Sequence, residues 1–259
     1  MNALSLLDEH ASYIALRVIA EEEIRREHVV VYLSGAHAYG FPSPDSDLDL
    51  KAIHVANTTS LVGLHPPPPT FDRTEIIEGV EIDYPSNELG HALGGILRGN
   101  GNFIERVLGN SALASSPLLE ELRVVTRESL SRRVHRHYRG FAESQLRELD
   151  REPTVKRLLY VLRTALTGAH LLRTRELITD LQILLDVHPR EGARELIERK
   201  RAGERTPLPP PERDEWRANI MMLFAELDTA RDHSPLPEDA ANIAHANDFL
   251  VRVRRAHFE

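Results

Sequence analysis

Polar and apolar positions change their period along this chain, and the changes mark its elements. Residues 4–26 carry the spacing of an amphipathic helix that packs on a sheet. Residues 28–33, His-Val-Val-Val-Tyr-Leu, form the continuous β-branched run of a buried strand, which empties into Ser34-Gly35-Ala36. A short helix after Gly35 ends near Gly40-Phe-Pro-Ser-Pro44, where two prolines forbid regular structure and Asp45-Ser46 shape a turn. A second strand is predicted over 47–55. Residues 71–77 and 80–84 predict a hairpin turning at Glu78-Gly79. From residue 86 the period becomes helical: 87–97, ended by Gly99, then a helix capped by Asn102. Further helices are predicted near 127–150, 154–173, 176–186, 189–201, 212–232 and 237–256, with Pro207-Leu-Pro-Pro-Pro211 as a stiff connector. The expected architecture is an α/β domain over residues 1–126 followed by an all-α domain over 127–259.

The candidate chemistry sits where the first strand hands over to the second. Asp47 and Asp49 are two residues apart at the start of a strand, so both carboxylates point to one face and can share a divalent ion, in outline a magnesium site. Gly35 lets backbone N–H groups crowd against a phosphate. Ser46 either hydrogen-bonds a phosphate or caps its own turn. Alternation also places Glu81 and Asp83 on one face of their strand. Lys156, Tyr160 and Arg163 fall at i, i+4 and i+7 of a later helix. That stripe either presents cations to a triphosphate in the cleft between domains or is an ion-paired solvent face. The cluster Arg132-Arg-Val-His-Arg-His-Tyr-Arg139 reads as a solvated helix face or as a landing surface for an RNA end.

The run Gly35-Ala-His-Ala-Tyr-Gly-Phe-Pro-Ser-Pro-Asp-Ser-Asp-Leu-Asp-Leu50, behind an apolar strand, resembles the signature of the DNA polymerase β nucleotidyltransferase superfamily. Within it the stretch is similar to a bacterial branch associated with RNA repair. Val80-Glu-Ile-Asp-Tyr84, Arg98-Gly-Asn-Gly-Asn-Phe-Ile-Glu105, His137-Tyr138, and Lys156 with Arg163 extend the likeness over about residues 28–170. The resemblance implies a nucleotidyltransferase domain with a small mixed sheet. It implies Mg²⁺ or Mn²⁺ held by Asp47, Asp49 and Asp83 in a two-metal mechanism, with Asp83 as general base and Glu81 as its rival. It further implies a nucleoside triphosphate bound at Gly35, Ala36, Ser46, Lys156 and Arg163, and a hydroxyl acceptor such as an RNA end. Where the family usually carries Gly or Ser after the first glycine, this chain has Ala36. The backbone N–H is kept, and one side-chain hydrogen bond of about 0.5–1.5 kcal/mol is not. Other readings of the same residues are transfer to a protein or small molecule, and a non-catalytic nucleotide-binding or partner-binding module. An Arg-x6-His spacing, Arg163 to His170, also resembles a ribonuclease motif of small helical domains.

Composition narrows these readings. A chain of 259 residues with 41% hydrophobic content can build a proper core. The absence of cysteine excludes disulfides, thiolate metal sites and cysteine nucleophiles. The net charge of −8 and a pI near 5.9 argue against extended duplex binding, which depends on neutralising many phosphates. Asp8, Glu9 and the cluster Glu21-Glu-Glu-Ile-Arg-Arg26 do not suit a signal peptide or membrane span, so a cytoplasmic location is expected. Lysine occurs at positions 51, 156 and 200, and arginine supplies the other cations.

Overall fold

The β-branched run after Glu27 is a strand flanked on both sides within a five-stranded sheet. The computed structural model describes residues 3–203 and 205–258. A 3-10 turn at Ala3–Leu6 precedes α1 (Glu9–Glu23), β1 (Glu27–Leu33), α2 (Gly35–Ala38), β2 (Leu48–Val55), α3 (Thr58–Leu61), β3 (Thr70–Ile77) and β4 (Val80–Glu88). Next come α4 (Leu89–Leu97), α5 (Gly101–Leu108), β5 (Ala112–Ser115) and α6 (Leu118–Glu128). The remaining helices are α7 (Val134–Arg151), α8 (Val155–Thr174), α9 (Leu181–Val187), α10 (Ala193–Arg201), α11 (Pro210–Asp232) and α12 (Ile243–Ala256).

The sheet order is β3-β4-β2-β1-β5. Only β2 and β4 run parallel, and the other neighbours are antiparallel, so the sheet is mixed as expected. Glu78 and Gly79 turn the β3–β4 hairpin with φ of 50° and 87°, the paired positive values of a tight hairpin turn. The edge strand β3 carries Asp72, Arg73 and Glu75, charges that discourage another strand from pairing with it. At the end of the sheet where β1 begins, His28 Nε2 and Tyr84 Oη share a 2.6 Å hydrogen bond, and His54 Nδ1 and Ser86 Oγ share one of 2.8 Å. Burial pushes the His54 pKa down to about 4 and that of Tyr84 up to about 12.

Several boundaries differ from the sequence reading for local reasons. The first helix is broken at Asp8, whose carboxylate caps α1 by accepting the Ala11 amide at 2.7 Å. Asn100, rather than Asn102, caps α5, and it accepts from the Asn102 amide. Asp180 caps α9, so the helix expected from 176 begins at Leu181. The strand β5 has no counterpart in the sequence reading.

The chain forms two compact units that are interleaved along the sequence. The first comprises Met1–Gly35, Asp47–Leu130 and Ala240–Glu259; the second comprises Ala36–Ser46 and Ser131–Asp239. One cut near residue 126 therefore does not describe the division. Helix α12 belongs to the sheet-bearing unit: Arg254 pairs with buried Glu88 at 2.5 Å, Thr58 Oγ1 donates to Arg254 O, and Asn242 Nδ2 donates to Val125 O. In the helical unit α8 is the hub, packed by α7, α9, α10 and α11 and buried almost continuously from Leu158 to Leu172.

Candidate active site

At the end of β1 the backbone turns directly onto β2. The Ser34 amide donates to Asp49 O at 2.9 Å. Gly35 follows at φ +66°, and a Cβ built on it would overlap the Asp49 carboxylate. Conformation and space both demand glycine here. The turn thus brings the backbone against one acidic side chain of the Asp-x-Asp pair.

The parallel pairing of β2 with β4 sets Leu48 opposite Ile82 and Asp49 opposite Asp83. Leu48 and Ile82 are fully buried. Asp49 and Asp83 therefore leave the opposite face, on neighbouring strands about 4.8 Å apart. Asp47 immediately precedes β2 and is half-buried, and Glu81 is exposed beside the hairpin turn. Lys51, two residues beyond Asp49 on the same face, joins the pair. Its Nζ lies 3.1 Å from Asp49 Oδ1 and 2.5 Å from Asp83 Oδ2. The ammonium offsets the repulsion between two adjacent carboxylates.

Among the described residues no three Asp, Glu or His side chains stand close enough together to hold a metal ion as they are. The closed group is Asp49, Asp83 and Lys51. The carboxylate oxygens are donors of the kind that suits a hard cation such as Mg²⁺. Sequence reasoning missed Lys51 as a partner of the carboxylates, although its i+2 spacing from Asp49 was in plain view.

The remaining sequence candidates lie in the helical unit. Ala36 is buried. Ser46 closes the turn before Asp47: its amide donates to Ser43 O at 3.0 Å, and its Oγ accepts the Ser43 amide at 3.0 Å. Lys156 is half-buried on α8. Arg163 is only 3% exposed, and its guanidinium lies 3.6 Å from the centre of the Tyr39 ring. Tyr160 packs edge-to-face with Tyr39 and Phe41. Two of the three residues of the expected open stripe, Tyr160 and Arg163, are therefore packed against aromatic residues of the Ala36–Ser46 segment. The reason is compositional: Tyr39 and Phe41 find on α8 the apolar and cation–π surface they need.

Four members of the basic cluster at the start of α7 are likewise engaged within their own unit. Arg132 donates to Ser234 O at 2.7 Å and Leu236 O at 3.0 Å, Arg133 pairs with Asp239, and His135 lies 2.7 Å from Asp228. Arg139 pairs with Glu143 and covers the Phe224 ring. Arg163 and His170 serve different partners, Tyr39 for the first and His188 at 3.1 Å for the second. Burial holds the His170 pKa below the ordinary histidine value.

Residues 10–252 match the RNA repair pathway DNA polymerase beta family. The chain belongs to that family. The match takes in the glycine turn, both strands of the carboxylate pair and the whole of the helical unit. Membership in the RNA repair pathway DNA polymerase beta family places the chain among the polymerase β-like nucleotidyltransferases. The chain is also 28% identical over 214 residues to an uncharacterized protein of Methanocaldococcus jannaschii, an alignment spanning 80% of this chain and 84% of the relative. A nucleotidyltransferase-like protein from Exiguobacterium sibiricum aligns over 93% of this chain and 78% of its own at 11% identity, with a TM-score of 0.33. Among the described residues no helix is long and apolar enough to cross a membrane.

Proposed function

We propose that the chain is a metal-dependent nucleotidyltransferase that moves a nucleoside monophosphate from a triphosphate to a hydroxyl at an RNA end. The observation that carries this reading is the register of Asp49 against Asp83 with the Gly35 turn pressed on the Asp49 carboxylate. Asp47, Asp49 and Asp83 would hold Mg²⁺ or Mn²⁺, which supplies charge neutralisation to the triphosphate. The Gly35 and Ala36 amides are assigned to the phosphate chain, where backbone N–H groups can approach closely. Asp83, the more exposed of the two in-register aspartates at 44% against 26%, is assigned to accept the proton of the attacking hydroxyl. The oxygen–phosphorus bond to the acceptor forms as the bond to pyrophosphate breaks, and pyrophosphate leaves with the electron pair.

The test is incubation with α-labelled nucleoside triphosphates and Mg²⁺ or Mn²⁺, in parallel with RNA, DNA and protein pools. Label should enter RNA and should disappear with EDTA or with Asp49→Ala. Label entering only protein would redirect the acceptor. Triphosphate binding without pyrophosphate release in any pool would assign the fold a non-catalytic role.

A further inference from the structure

Lys200 lies on the apolar face of α10, at the i+7, i+4 and i+3 positions from Ala193, Leu196 and Ile197, and it is fully buried. An ammonium buried there is costly unless the charge is well satisfied. Its Nζ donates to Ser43 Oγ at 2.6 Å and reaches Ser46 Oγ at 3.4 Å. These two hydroxyls are 3.1 Å apart and belong to the turn that the Ser46 amide closes on Ser43 O. The next residue along the chain is Asp47. The same α9–α10 region holds the earlier part of the segment: the Leu181 amide donates to Tyr39 O at 2.9 Å, and Gln182 Nε2 donates to Gly40 O at 2.9 Å.

We infer that Lys200 is a positioning residue for Asp47: its ammonium fixes the Ser43–Ser46 turn, and through it the peptide that sets the direction of the Asp47 side chain. The inference rests on the nucleotidyltransferase reading for its consequence, though not for its structural content. A lysine suits the task because its compact head can serve two hydroxyls at once, while the arginine fork is built for planar carboxylate or phosphate partners. The neighbouring Arg199 and Arg201 pair with Glu212 and Glu198, and Arg201 also reaches Gly40 O at 3.4 Å, while the Lys200 ammonium is the head that bonds the Ser43 and Ser46 hydroxyls.

Hydrogen exchange followed residue by residue tests the structural content without any assay of activity. In Lys200→Met the amides of Ser43 and Ser46, which close the turn, should exchange at least tenfold faster, while those of α8 and α10 exchange as in the unaltered protein. Unchanged exchange at Ser43 and Ser46, or an acceleration spread equally through α8 and α10, would overturn the inference. If Lys200→Met does not fold, Ser43→Ala decides by the same criterion, and Ser43→Thr, which keeps the acceptor oxygen, should restore slow exchange. The Mn²⁺ concentration for half-maximal transfer should rise at least fivefold in Lys200→Met or Ser43→Ala and return with Ser43→Thr. A protein with no transfer activity at all would sink the nucleotidyltransferase reading and leave the exchange result to judge Lys200.

Discussion

Replacing Lys51 by methionine asks whether the acidic pair is a cation site with its own internal placeholder. Methionine keeps the length of the stem and removes the charge that lies 3.1 Å from Asp49 and 2.5 Å from Asp83. Two carboxylates about 5 Å apart then repel by about 1–3 kcal/mol for effective dielectric constants between roughly 80 and 20. The three side chains are 20%, 26% and 44% exposed, so solvent and salt screening favour the lower end, about 1 kcal/mol. In EDTA the variant should be less stable than the wild type by that amount. Mg²⁺ no longer has to displace an ammonium, and about 1 kcal/mol corresponds to roughly fivefold tighter binding. Thermal denaturation across a Mg²⁺ series gives the dissociation constant from the ligand-dependent gain in stability, and calorimetric titration checks it. An affinity for Mg²⁺ that is unchanged or weaker in Lys51→Met would refute the idea that Lys51 and the cation compete for Asp49 and Asp83, leaving an ordinary ion pair.

Gly35→Ala should cost about 1–2 kcal/mol for the left-handed backbone and should push the Asp49 carboxylate aside. A denaturant midpoint and a Mg²⁺ titration both unchanged from wild type would dissolve the link drawn between turn and carboxylate. The His54 pKa, about 4 in the folded protein against an ordinary 6.5, has a sign that can be checked. Above pH 6.5 both states are neutral; as the pH falls below it the unfolded chain takes up a proton that the folded one refuses until about pH 4. His54 therefore removes about 2 kcal/mol of stability between pH 7 and pH 5. His54→Gln should flatten the pH dependence of urea unfolding by about that amount, and an unaltered slope would reject the assignment.

The features legible in the sequence were those written in local chemistry. The β-branched run of β1, the Glu78-Gly79 turn and the Asp47-Leu-Asp49 spacing each state their conformation within a few residues, and the structure keeps β1, the hairpin and β2 where they were expected. What escaped notice depends on distant partners. The strand Ala112–Ser115 has little β propensity of its own and is a strand because β1 offers it a free edge. Lys200 looks like one more surface cation between Arg199 and Arg201, and only the fold reveals that its head is spent on Ser43 and Ser46. Arg163 likewise looked like part of an open stripe because nothing near it in sequence announces Tyr39 as its cover.

The interleaving of the two units has a consequence for synthesis. The sheet-bearing unit is finished by α12, whose Arg254 carbonyl accepts from Thr58, 196 residues upstream, and whose Arg254 side chain neutralises buried Glu88. On a ribosome the strands bearing the carboxylates emerge before residues 131–239 of the helical unit, whereas the helix that completes their own unit emerges after them. Until then Glu88 lacks its cation, and residues 36–46 must wait for α8, α9 and α10 before they can settle. A chain released short of residue 240 would carry every residue proposed for catalysis without the helix that completes their unit, so premature termination should yield a protein that fails to assemble rather than a loosened enzyme.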